Sequence, residues 1–297
     1  IRSMGDSKTP VYFLVLSSVL NIILDLTFII CFKLGVMGAA LATVIAQGVS
    51  GIGCLFYSKH HFEILHTTKE EREWNTALMG TLCGMGIPMG LQYSITAIGS
   101  VILQSAVNGL GSDAVASMTA GSKISMFFCC PFDALGSTMA TYGGQNVGAK
   151  KLDRISKGLK SCSMLGIGYS ILAFLVLTLF GGKLSTFFVN GDAPEVIANS
   201  AQFLFWNSAF YIPLAFVNIV RFLIQGMGYS KFAILAGVCE MAARTLVGFL
   251  FVPLFGFRAA CFASPVAWIF ADAFLFPAYF HVYKKTEKML GYESAEH

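Results

Sequence analysis

The chain has 297 residues, of which 56% are hydrophobic and only 12% charged, with a formal net charge of +4 and a mean hydropathy of +0.69. Soluble domains carry about a quarter charged residues, and here the charge is absent from long blocks and gathered between them, which excludes an ordinary water-soluble globule. The positive excess follows the loops rather than a surface stripe, so it reads as membrane topology and not as nucleic-acid binding.

A bilayer core of about 30 Å needs about 20 apolar residues of helix. Eight blocks reach that length: 11–32, 36–57, 78–107, 114–141, 161–182, 197–220, 232–253 and 259–280. Blocks 36–57, 78–107, 161–182 and 197–220 hold no Asp, Glu, Lys or Arg. Barrel strands are about 10 residues long and alternate in polarity; these blocks do neither, so the chain reads as all-α and polytopic. Loops 1–10, 58–77, 142–160, 221–231 and 281–297 carry fifteen cations, Lys69, Arg72 and Arg221 among them. The opposite loops carry three, Lys33, Lys183 and Arg258. That bias places both ends of the chain in the cytoplasm of a multi-pass cell-membrane protein. Residues 58–77 form the one long polar stretch between spans; His60, His61 and His66 sit there and read as an exposed linker rather than a metal site. The eight cysteines lie in or at the edges of apolar blocks without zinc-ligand spacing, and read as packing thiols.

One motif occurs twice. Residues 1–8 read IRSMGDSK and residues 224–231 read IQGMGYSK. Further on, Leu34-Gly35 with Ala39 and Ala42 recurs as Phe255-Gly256 with Ala260 and Ala263. The second copy has four apolar blocks before its motif and the first has none, so the repeat leads us to expect four helices ahead of residue 1. The expected whole has twelve helices in two six-helix lobes, a recurrent plan among secondary transporters. On this plan, 1–57 holds the last two helices of the N-terminal lobe and 58–77 the cytoplasmic linker. The C-terminal lobe takes 78–285, and 286–297 is a cytoplasmic tail.

These residues resemble the multidrug and toxic compound extrusion (MATE) family of antiporters. The resemblance rests on Arg2-Ser-Met-Gly-Asp-Ser-Lys-Thr-Pro10, Asn21-Ile-Ile-Leu-Asp25, Gly35-Val-Met-Gly-Ala-Ala-Leu-Ala-Thr43, Gly86-Ile-Pro88, Gly144-Gln-Asn-Val-Gly-Ala149 and Gln225-Gly-Met-Gly-Tyr-Ser-Lys231. It implies two lobes around a cavity and export of organic cations or amphipathic small molecules in exchange for Na⁺ or H⁺, with no cofactor beyond that ion. It also implies a protein that works as a monomer when full length. In the family, an Asn, an Asp and a Thr matching Asn21, Asp25 and Thr43 hold the coupling cation or proton, and Asp25 is the residue that would take Na⁺. From the residues alone, Asn21 and Asp25 share a helix face, and a polar pair between helices is the alternative.

Glu240 and Arg244, four apart, are expected to pair on one face; a fixed lock and a substrate or proton role both stay open. Gln92, Tyr93, Gln104, Asn207, Tyr211 and Asn218 are further candidates for the substrate cavity. Lys123, Asp133 and Asp272 also lie within spans, where charge is costly. One branch of the family places a Glu after Gly-x-Pro on the second lobe's first helix; Met89 to Thr96 contain no acid. The stretch Gly143 to Lys150 lacks the hydroxyl that a phosphate loop needs and is expected to end a helix. A lipid-linked oligosaccharide flippase is the alternative function. A membrane enzyme is not expected, because the histidines lie only in the linker and the C-terminal tail.

Overall fold

The computed structural model describes residues 1–66, 74–188 and 193–291. Lys69 and Arg72 of the linker, and the tail beyond Gly291, lie outside the described residues. The chain divides into two compact units, Ile1–Thr76 and Ala77–His297.

The first unit is a helical hairpin. A short 3₁₀ turn at Arg2–Met4 leads to α1 (Lys8–Leu26), a π-helical segment at Thr27–Cys31 and α2 (Gly35–His61). Gly5 closes the turn at φ +93°, and Asp6 Oδ1 then accepts the backbone N–H groups of Lys8 (3.0 Å) and Thr9 (3.1 Å), two of the donors a helix start leaves unpaired. Hydrogen bonding from Thr9, side chain first and backbone next, and then from Lys8 holds the Asp6 carboxyl below the usual carboxylate range. A carboxyl depressed in this way helps the folded state above its ordinary pKa, and the help is lost as pH falls through the lowered value. Asp6→Ala at neutral pH, or acidification of the native protein, is therefore expected to speed amide hydrogen exchange at Lys8 and Thr9. Unchanged exchange at both positions would show that Asp6 is not the cap.

Where α1 and α2 touch, small residues let the backbones approach. Gly38, Ala42 and Ala46 are the buried residues of α2, four apart along one stripe. A Cβ on Gly38 would come within 3.0 Å of Phe28 Cβ, and Ser50 Oγ donates to the Phe13 carbonyl at 2.8 Å. The remaining faces are lined by Leu14, Ile22, Val44, Ile52 and their like, as suits helices in hydrocarbon.

The second unit holds α3 (Thr76–Asn108), α4 (Ser112–Gly148), α5 (Leu152–Ser185), α6 (Pro194–Ala209), α7 (Tyr211–Gly226), α8 (Lys231–Leu246), a π-helical segment (Val247–Phe251), the single turn α9 (Val252–Phe255) and α10 (Phe257–Met289). Helix α7 is the axis of its core, where Tyr211, Ile219, Leu223 and Ile224 are fully buried among side chains of α4, α5 and α10. Helices α6 and α7 meet at Phe210 with a bend of 53°. Pro88, Pro131, Pro265 and Pro277 lie inside helices, which neighbouring helices in a bundle tolerate.

All eight apolar blocks fall on these helices. Among the described residues, six helices are long and apolar enough to cross a membrane, or seven if the bent α6–α7 pair is one span. Helix α4 is the exception because of its composition. Its open side carries Thr119, Lys123, Met126, Cys130 and Asp133 at three- and four-residue steps. Such a polar stripe suits a water-filled path or protein more than lipid.

The motif repeat is also a repeat of backbone. Gly5 and Gly228 have φ of +93° and +96°, and Gly35 and Gly256 have φ of +57° and +64°. Between each pair a helix loosens into a five-residue π segment, Thr27–Cys31 in one copy and Val247–Phe251 in the other. One expectation is corrected here. Arg221 is not in a loop: it is inside α7 and only 6% exposed, so it leaves the cytoplasmic tally. The stretch Gly143 to Lys150 ends a helix as expected: α4 closes at Gly148 and Lys150 takes φ +54° in the turn. Its first two glycines serve packing inside α4, where a Cβ on Gly143 would meet Leu223 Cδ1 at 2.7 Å and one on Gly144 the Gly226 carbonyl at 3.2 Å.

Candidate functional site

In the first unit, Asn21, Asp25 and Thr43 come together. Asn21 and Asp25 lie one turn apart on α1, and Thr43 faces them from α2. Of the two amide orientations of Asn21, one suits all its neighbours. It puts Nδ2 3.3 Å from Asp25 Oδ2, and Oδ1 3.3 Å from both the backbone nitrogen and the hydroxyl of Thr43. The Thr43 hydroxyl also donates to the Ala39 carbonyl at 3.0 Å. The other carboxylate oxygen, Asp25 Oδ1, is buried with no hydrogen-bond partner. A carboxylate oxygen orphaned in this way, beside amide and hydroxyl oxygens, has the chemistry a hard monovalent cation or a proton would satisfy. The π segment begins two residues beyond Asp25, and such segments recur at functional positions.

In the second unit, Glu240 accepts from two arginines. Arg221 Nη2 on α7 bonds Oε1, and Arg244 Nη2, one turn along α8, lies 3.3 Å from Oε2. All three side chains are under one-tenth exposed. Arg221 Nε and Arg244 Nη1 have no partner, nor do Gln225 Oε1, Thr96 Oγ1 and Asp272 Oδ1 nearby. Next to this group Gln225 Nε2 on α7 donates to Gln92 Oε1 on α3 at 2.6 Å. Asp133, on the open side of α4, lies within electrostatic reach of Arg221.

The other cavity candidates scatter. Tyr93 is 58% exposed. Gln104 bonds its neighbour Asn108 at 3.0 Å. Asn207 ties α6 to α10 by donating to the Phe203 and Cys261 carbonyls at 3.0 and 3.2 Å. Tyr211 is fully buried, edge-on to Phe132, with its hydroxyl 3.0 Å from Ser125 Oγ. Asn218 donates to the Leu214 carbonyl in its own helix at 3.3 Å. Recesses of about 590 and 610 Å³ open around the second π segment, and none of the candidates lines them. In the linker, His61 stacks on Tyr57 and His66 contacts the Lys59 carbonyl; no cluster of three metal-ligating side chains occurs among the described residues. Arg221 and Gln225 were not singled out from sequence. The signal was available: Phe222, Leu223 and Ile224 continue the apolar run past Arg221.

The MatE family model matches residues 88–261, more than half of the chain. The chain belongs to the MatE family. It is thus a member of a family of membrane transporters rather than enzymes, and its long apolar helices suit a lipid bilayer. Among curated relatives of this MatE chain is the probable multidrug resistance protein YpnP of Bacillus subtilis, 29% identical over 220 residues, covering 74% of this chain and 48% of the relative. The FAD transporter of Shewanella oneidensis is 22% identical over 252 residues, covering 83% of this chain and 55% of the relative. The chain spans about half the length of the curated relatives it matches. Among solved structures, the bent form of the Vibrio cholerae MATE transporter VcmN superposes with a TM-score of 0.84 at 22% identity, covering 96% of this chain and 64% of that one. At that identity the likeness speaks for the fold alone.

Proposed function

We propose that the protein is a secondary active transporter that exports cationic or amphipathic small molecules from the cell in exchange for Na⁺ or H⁺. Asn21, Asp25 and Thr43 hold the coupling ion. The observation that carries this reading is the run of contacts from Thr43 to Asn21 to Asp25 Oδ2, which leaves Asp25 Oδ1 buried beside them without a partner. Asp25 supplies the charge, Asn21 orients it, and Thr43 fixes Asn21. The ion would be released when the carboxylate is re-exposed, so binding and release there gate the cycle. The names carried by relatives favour export over the flippase alternative. The two buried arginines, both turned to Glu240, offer no free cationic groove for a pyrophosphate.

The chain is proposed to sit in the cell membrane with both its ends cytoplasmic and to act as a monomer when full length. Vesicles carrying the protein and loaded with a fluorescent organic cation test the reading. Export is expected under an imposed Na⁺ or pH gradient. Asp25→Asn is expected to slow it ~10-fold or more, about 1.4 kcal/mol at the transition state. Gradient-driven export that survives Asp25→Asn unchanged would overturn the assignment.

A further inference from the structure

The second unit has a charge imbalance that its hydrogen bonds do not resolve. Two guanidinium groups, Arg221 and Arg244, face three carboxyl groups, those of Glu240, Asp272 and Asp133. Glu240 uses one oxygen for each arginine. Asp133 lies on the open side of α4. Asp272 is different. It sits in the middle of α10, between Pro265 and Pro277, 9% exposed, with Oδ1 buried and unpartnered. An ionised carboxylate left so in a low-dielectric interior is costly, and within a membrane span such a group marks a function.

The groups that face it are few. From α7 comes Arg221, which attracts its negative charge, and from α8 comes Glu240, which repels it, with Arg244 beyond. Of the other elements that pack on α10, the second π segment and α9 contain no charged residue, and α6 carries only Glu195, in its first turn. Arg221 reaches Glu240 through Nη2 and keeps its Nε–H unused. One orphaned donor and one orphaned acceptor are therefore buried on two groups that interact electrostatically. A buried carboxyl oxygen without a partner is satisfied by the smallest cation, a proton.

We propose that Asp272 is a reversible proton-binding site in the second unit, with Arg221 as the counter-charge divided between Asp272 and Glu240. When the Asp272 O–H bond breaks, the proton leaves to water and both electrons stay on the carboxylate, which then takes the spare Nε–H of Arg221. When the proton returns, Arg221 belongs to Glu240 again. The exchange changes the cross-link that ties α8 and α10 to α7, the axis of the core. It does not depend on the ion Asp25 takes.

The infrared carbonyl band of a protonated carboxyl group, followed with pH on the purified chain in lipid nanodiscs, tests this without any transport assay. The expected result, scanned from about pH 5 to about pH 9, is one band that titrates, is lost in Asp272→Asn and persists in Asp133→Asn and Asp25→Asn. Should Asp272→Asn fail to fold, Asp272→Glu is expected to move the band's frequency. Arg221→Gln is expected to displace the midpoint by about one pH unit, ~10-fold in proton affinity. A band constant across that range, or one that titrates unchanged in the Asp272 and Arg221 variants, overturns the proposal.

Discussion

Glu240→Gln is expected to lower the melting temperature of the purified protein by about 10 °C. The substitution keeps shape and volume, but it removes the one carboxylate that both Arg221 and Arg244 touch. Those arginines are 6% and 7% exposed. Breaking a buried ion pair by deleting one partner costs about 3–5 kcal/mol, chiefly because a charge is left uncompensated. For a domain of this size each kcal/mol moves the midpoint by about 2–4 °C. The sign of the second step separates electrostatics from packing damage. Adding Arg244→Met to Glu240→Gln is expected to raise the melting temperature again, since it removes one stranded charge, whereas two independent packing defects would add. If Glu240→Gln melted with the native protein, or the double variant melted lower than the single one, the three side chains would not be acting as a coupled network.

That network also marks how far sequence carries. Glu240 and Arg244 lie four apart on one helix, so their pairing follows from helix geometry alone. The third member does not, because Arg221 reaches Glu240 across nineteen residues and between helices. A charge near the end of an apolar run resembles a loop cation by composition; the apolar Phe222, Leu223 and Ile224 beyond it were the sign that the helix continues. Spans, hairpin and repeat were legible for the opposite reason: hydrocarbon imposes apolar runs about 20 residues long, and the chain must turn between them. The site around Asp25 falls between these cases. The spacing of Asn21 and Asp25 puts them on one face, while Thr43 entered only through the family resemblance. Asn207, Tyr211 and Asn218 were polar enough to suggest a cavity, yet their hydrogen bonds go to backbone carbonyls or, for Tyr211, to Ser125 on α4. Buried side chains of this type satisfy local carbonyls more often than they await a ligand.

The repeated motif supplies the other large effect. Ser3 in the first copy corresponds to Gly226 in the second, and composition gives no reason for the difference. Packing does. A Cβ built on Gly226 would collide with the Ala140 carbonyl oxygen and lie 2.7 Å from Ala140 Cα, and those are backbone atoms of α4 that cannot rotate aside. At Gly226, α7 crosses α4 at the stretch that also holds Gly143 and Gly144. Gly226→Ala must push the two helices apart and open the core around Leu223 and Met227. It is expected to cost about 3 kcal/mol, the upper end for an overpacked core. Two other glycines calibrate the result. Gly228→Ala meets only Met85 Cε at 3.5 Å but must hold a side chain at φ +96°, which costs about 1–2 kcal/mol. Gly168→Ala on α5 has open space around it and ordinary helical φ, so it is expected to be neutral or to stabilise by about 0.4–1 kcal/mol. Melting temperatures in one detergent should rank Gly168→Ala above Gly228→Ala above Gly226→Ala. If Gly226→Ala melted with Gly168→Ala, α7 would not lie against α4 as closely as the structure holds it, and the placement of Arg221 five residues earlier on the same helix would fall with it.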